Sequence, residues 1–249
     1  MLEIRNLKKT YASNGNAIDA VDGLTLDVSD RQFVALVGPS GCGKTTLLKI
    51  VAGLAEATDG EVLMDSKSIS GPSAERGMVF QDFTLFPWLT VRENIAFGAR
   101  VRAMDQDVKK RVVDHYLKMT GLTEFADSYP KDLSGGMQQR VAIARTLAND
   151  PEILLMDEPF GSLDAQTRSQ MQEFLTQLWE SDRKTILFVT HDVTEAIFLA
   201  DKVCVLSGRP AKIKNVYTVP FGRPRTHAIK HSPEFFEFAS KIAGELDGK

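Results

Sequence analysis

The chain has 249 residues, 43% hydrophobic and 25% charged, an ordinary globular composition with enough apolar mass for a sizeable core. Thirty basic residues against 33 acidic ones leave a formal charge of -3, so the positive excess that grips a nucleic-acid backbone is missing and no nucleic-acid partner is expected. No apolar run reaches the length of a membrane span or has the order of a signal peptide, and the two cysteines, Cys42 and Cys204, form neither a disulfide framework nor a metal pattern.

Apolar runs predict strands at Leu2 to Ile4, Leu24 to Val28 and Phe33 to Val37, a short one near Val62, and later ones at Ile153 to Met156, Ile186 to Val189 and Val203 to Leu206. The later runs alternate with helical patterns, such as Met171, Phe174, Leu175 and Leu178 on one face. That order implies an α/β fold with a mostly parallel sheet, preceded by an antiparallel extension. Thr90 to Ala148 is helical in character: Thr90 and Glu93 form a capping box, and Gly121 stops a helix begun near Asp105. We divide the chain into a core at 1–88 and 149–208, an inserted helical subdomain at 89–148, and a tail at 209–249 with a short helix near Pro233 to Leu246. His227 and His231, four apart in that tail, read as a surface face rather than a metal pair.

Between the strand ending at Val37 and the helical run LLKIVAGL lies GPSGCGKTT, Gly38 to Thr46. Strand, glycine-rich turn and helix in that order make a phosphate loop. Gly38, Gly41 and Gly43 let the backbone close around phosphate oxygens, with Ser40, Cys42, Lys44, Thr45 and Thr46 completing the cradle. Lys44 reaches the β- and γ-phosphates and Thr45 offers a hydroxyl to magnesium. Cys42, beside Lys44 and a helix N-terminus, is a candidate for a low-pKa thiol. ILLMDEP then sets Asp157 and Glu158 at the end of a buried strand. Asp157 suits magnesium and Glu158 suits a general base acting on water.

LSGGMQQR, Leu133 to Arg140, opens a helix with Ser134, Gly135 and Gly136, a second anion-binding N-terminus in the same chain. With this octapeptide between the phosphate loop and ILLMDEP, the sequence resembles the ABC ATPases, whose signature motif it matches except for Met137, where many members carry Gln. The resemblance implies further roles. Tyr11 would stack on adenine; Gln81, in MVFQDF, would sense magnesium and the attacking water; Ser162 to Asp164 would be the D-loop, with Asp164 also a helix cap; and His191, in LFVTHD, would contact the γ-phosphate.

FTLFPWLTVRENIAFG, DEPFGSLDAQTR, THDVTEAIFLADKV and SGRPAKI are similar to the nitrate/sulfonate/taurine type of importer ATPase. That likeness implies ATP and Mg²⁺ as cofactors and a homodimer with ATP sandwiched head to tail. It also implies a separate membrane permease, indirectly a substrate-binding protein, and a place on the cytoplasmic face of a bacterial inner membrane. The alternatives are the ATPase of an exporter or lipid transporter, or a soluble ABC ATPase outside transport. Directly after Gln81, Phe83, Leu85, Phe86, Trp88 and Leu89 crowd one segment, which is expected to be partly core and partly an open groove for a permease helix.

Overall fold

The computed structural model describes residues 1–13 and 16–246. Its ten strands, among those residues, form two sheets. The smaller is antiparallel, in the order β2 (Asn16–Val28), β1 (Leu2–Ser13), β4 (Asp59–Met64), β5 (Lys67–Ser68). The larger runs β10 (Ile213–Thr218), β9 (Lys202–Leu206), β3 (Phe33–Val37), β8 (Thr185–Thr190), β7 (Ile153–Asp157), β6 (Arg76–Val79). All of its pairings are parallel except that of β10 with β9.

Central strands covered on both faces must be apolar at every position, and β3, β7 and β8 are buried throughout. The period of two then deals their side chains to two cores. Phe33, Ala35 and Val37 join one core, and Val34 and Leu36 join the other, which the antiparallel sheet and α1 (Lys44–Val51) close. The first core is covered by α5 (Ala165–Asp182), α6 (Val193–Leu199) and α7 (Pro233–Leu246), the last of which buries Phe235 and Ile242.

Between β6 and β7 come α2 (Val91–Val101), α3 (Gln106–Thr120) and α4 (Gly135–Leu147). Their ends follow local chemistry. Thr90 and Glu93 make the reciprocal capping box, Asp105 accepts from the amides of Asp107 and Val108, and Gly121 ends α3 at φ 69. Three strands escape the periodicity reading, the two-residue β5 with its wholly polar Lys67–Ser68 among them. Arg76 and Gly77 interrupt the apolar run of β6, and β10 is an edge strand with mostly solvated positions. The early strands are longer than their apolar cores, because β1 pairs with β2 across several register shifts. Among the described residues, no helix is long and apolar enough to cross a membrane.

Candidate active site

Strands β3, β6, β7 and β8 end on one edge of the parallel sheet, and each leads into a residue singled out above. That edge is where a parallel sheet leaves room for a ligand. After β3, Gly43 caps α1 at φ 124. A Cβ there would lie 2.2 Å from the Ala20 carbonyl oxygen and 3.2 Å from the Ala211 Cβ, so only glycine lets the loop rest on those two supports. Lys44, 4% exposed, donates to the Gly38 and Pro39 carbonyls at 2.8 and 3.0 Å. With its ammonium turned onto the loop's own carbonyls, the charge is held beside the place a phosphate would take.

The Thr45 hydroxyl donates to Asp157 Oδ1 at 3.1 Å. Burial raises the Asp157 carboxyl above the usual carboxylate range, and the Thr45 hydrogen bond offsets part of that rise. A half-satisfied buried carboxylate beside a hydroxyl is a pair of hard oxygen donors, so the residues present fit a magnesium ion.

Glu158 adopts φ 43, a left-handed conformation that non-glycine residues seldom take. Its N–H donates to the Val189 carbonyl of β8 at 2.9 Å, which fixes the turn. Strain of this kind costs roughly 1–3 kcal/mol and clusters at functional sites. Here it aims the carboxylate at two partners, with Oε2 2.7 Å from His191 Nδ1 and Oε1 3.6 Å from Lys44 Nζ. Gln81, two residues past β6, reaches toward the same turn. Its Nε2 lies 3.9 Å from where a Cβ on Gly161 would sit, and the Gly161 N–H donates to the Glu158 carbonyl at 3.1 Å.

The structure therefore gathers Lys44, Thr45, Asp157, Glu158, His191 and Gln81. Tyr11 lies off to one side. It pairs with Ile18 on the β1–β2 hairpin, two residues before Ala20, and its ring is 41% exposed with the Lys9 ammonium 5.0 Å from its centroid. Ser134 caps α4 by accepting from the Met137 amide at 3.4 Å. Cβ atoms on Gly135 and Gly136 would meet Leu163 at 3.3 Å and Thr167 at 2.6 Å. That turn is thus packed on the Ser162–Asp164 segment and the first turn of α5, where Asp164 accepts from the amides of Gln166 and Thr167.

One expectation is corrected. Cys42 is 1% exposed and packs in the second core, and burial pushes its thiol pKa up despite the opposing effect of Lys44. The nearby positive charge favours a thiolate, but desolvation is the larger effect. Sequence reasoning also missed Ala20 and Ala211, which back the phosphate loop; an alanine carries no motif, and only the folded chain brings them together.

The segment after Gln81 divides as its composition suggests. Leu89 is buried, Phe83 and Leu85 pack against the main core, and Trp88 is 70% exposed. The Phe86 ring lies 4.3 Å from that of Phe97, tilted by 36°, under the Arg145 guanidinium, which also donates to the Thr84 carbonyl and hydroxyl. These side chains, with Met78 and Phe80, line an open cleft of about 400 Å³ between β6, α2 and α4.

The ABC transporter family model matches residues 21–161. An uncharacterized ABC transporter ATP-binding protein of Methanocaldococcus jannaschii is 50% identical over 98% of this chain and 91% of its own length. A nitrate import ATP-binding protein of Synechocystis sp. is 43% identical over 100% and 96%, and a taurine import ATP-binding protein of Jannaschia sp. 44% over 98% and 93%. Among solved structures, the dimeric post-hydrolysis state of the ATP-binding cassette MJ0796 bound to ADP and phosphate superposes with a TM-score of 0.77 at 34% identity, covering 89% of this chain and all of that one. Likeness of this degree, running nearly end to end, settles the family: the chain belongs to the ATP-binding subunits of ABC transporters and is an ABC-type ATPase.

Proposed function

We propose that this chain powers uptake of a small anion, of the nitrate, taurine or sulfonate class, through a separate membrane permease fed by a substrate-binding protein. The observation that carries the hydrolytic part is the Glu158 carboxylate, held in a strained turn 2.7 Å from His191 and 3.6 Å from Lys44. In this reading residues 1–88 and 149–208 form the nucleotide-binding body, 89–148 the arm that carries the signature turn, and 209–249 a C-terminal segment. Two such chains close head to tail on ATP at the cytoplasmic face of the inner membrane. The dimeric cassette that shares this fold supports that arrangement.

Lys44 leaves the Gly38 and Pro39 carbonyls to meet the β- and γ-phosphates, while the amides of the Gly38 to Thr46 loop and the N-terminus of α1 hold the rest of the polyphosphate. Thr45 and Asp157, with Gln81 nearby, would hold magnesium, which when bound offsets charge on the phosphate oxygens. Glu158 takes a proton from the attacking water as its oxygen bonds to the γ-phosphorus and the bond to the β-phosphate oxygen breaks. His191, sharing a hydrogen bond with Glu158, donates toward the γ-phosphate. Ser134, Gly135 and Gly136 of the second chain present a helix N-terminus to the same phosphates. Tyr11 stacks on the adenine. ATP thus joins two chains that ADP holds poorly, and the cleft at Phe86, with the exposed Trp88 ring 5.7 Å from Phe86 beside it, receives a permease helix that feels the change.

The test is to isolate the complex from native membranes through a tag on this chain, rebuild it in vesicles, and measure ATP-dependent movement of labelled nitrate, taurine and an alkanesulfonate. Inward movement of at least one supports the reading. Outward movement, or copurification with no membrane protein, would assign the chain to an exporter or to a soluble ABC ATPase.

A further inference from the structure

Glu195 is a buried acid that the reaction described above does not use. It lies on α6, one turn past His191, and is 4% exposed. The local chain is tightly bonded. The Asp192 N–H donates to the Thr190 hydroxyl and the Glu195 N–H to Asp192 Oδ1, both at 3.0 Å. The Glu195 carboxylate accepts from Gln172 Nε2 of α5 at 2.9 Å, and Gln172 is itself 3% exposed. The amide oxygen of Gln172 accepts from Lys230 Nζ of the C-terminal segment at 2.6 Å.

Lys230 is held in turn, 4.3 Å over the Phe198 ring, on which the His227 imidazole stacks at 4.8 Å while its Nε2 lies 3.0 Å from the Ser169 carbonyl oxygen. His227 is thus clamped against α5 and α6 rather than lying on a free surface. The Arg168 charge also acts on Glu195, and the same guanidinium donates to the Leu163 carbonyl of the Ser162–Asp164 turn at 2.9 Å. Burial raises the Glu195 carboxyl pKa, with the Thr190 and Gln172 hydrogen bonds opposing the rise. Leucine or alanine would pack this helix face without that cost, and a buried polar chain linking three elements restricts them to one arrangement.

We propose that Glu195 is a positioning residue for hydrolysis: it locks the Thr190–Asp192 turn, and with it His191, to α5 and, through Gln172 and Lys230, to the C-terminal segment. This rests on His191 serving hydrolysis. Misplacing a group that must meet the γ-phosphate lowers turnover without weakening the hold of the phosphate loop on ATP.

The experiment measures kcat and KM for ATP, with thermal unfolding as a folding control, for Glu195→Ala, Glu195→Gln and Lys230→Met, alone and combined with His191→Ala. Glu195→Ala should cut kcat by roughly 10- to 100-fold, the scale of a small misplacement, with KM little changed. Glu195→Gln, which keeps an acceptor facing Gln172, should recover most of the loss. Lys230→Met keeps its stem on Phe198 and should lower kcat severalfold. In the His191→Ala background, followed by single turnover at excess enzyme, Glu195→Ala should add less than about twofold, because the two act as one unit. Losses that multiply in that background, or a rise in KM with kcat intact, would overturn the proposal. If Glu195→Ala does not fold, full kcat in both folded Glu195→Gln and folded Lys230→Met would overturn it too. Wild-type turnover by His191→Ala alone would instead refute the reading of the site.

Discussion

Replacing Glu158 by Gln changes one charge and almost no shape, because both residues meet the same cost at φ 43 and the amide fills the same space between His191 and Lys44. What disappears is the ability to take a proton. Loss of a general base costs 10²- to 10⁴-fold, which is about 3–5.5 kcal/mol of barrier. Binding should move the other way. Lys44 loses an anion 3.6 Å from its ammonium, and a partly solvated pair of that kind contributes on the order of 1 kcal/mol or less. ATP should therefore bind as tightly as before, or up to roughly fivefold more tightly. Phosphate release gives the turnover, fluorescent-nucleotide titration the affinity, and size exclusion with ATP the dimer that should accumulate once it cannot hydrolyse its nucleotide. Turnover within twofold of wild type would remove Glu158 from the role. An affinity loss as large as the rate loss would make it a binding residue instead.

Gly43→Ala should abolish nucleotide binding by titration while leaving much of the fold, since the added Cβ would lie 2.2 Å from the Ala20 carbonyl oxygen and must push the loop away. Trp88→Ser, at a side chain 70% exposed, should shift the unfolding midpoint little and keep basal hydrolysis, while assembly or transport by the whole complex fails; unchanged transport would move the permease contact elsewhere. Native protein at pH 8 should resist alkylation at both cysteines, because burial raises the Cys42 thiol and pushes Cys204 up to about 12. Mass spectrometry should find the label only after denaturation, and rapid ATP-sensitive labelling of Cys42 would refute the argument.

The parts of the site legible in sequence are those built from contiguous residues at strand ends. Gly38 to Thr46, Asp157–Glu158 and His191 each pair an unbroken apolar strand with an abrupt polar turn, and such strands in a parallel sheet deliver their ends to one edge. Helix boundaries at Thr90, Asp105, Gly121 and Asp164 were readable for a similar reason, since a cap is decided by a few adjacent atoms. Balances and distant pairs were not. Nothing local says that Cys42 packs into the second core, or that Lys230 reaches Gln172, 58 residues earlier in the chain. Strand β10 was hidden because an edge strand with one solvated face loses the apolar signal that marked its neighbours.

The support beneath Gly43 has a consequence for how the protein is made. Ala211 donates to the Ala20 carbonyl at 2.9 Å and accepts from the Asp22 amide at 3.2 Å, so the wall behind the phosphate loop is a splice between an early stretch of chain and a late one. A ribosome that has delivered the loop, both carboxylates and His191 has still not delivered that wall. Nascent chains stalled short of residue 211 should fail to retain ATP on a nucleotide resin, and those stalled far enough beyond it to free the segment from the exit tunnel should be captured. Competence to bind fuel would then arise late in translation, after the recognisable motifs are already outside.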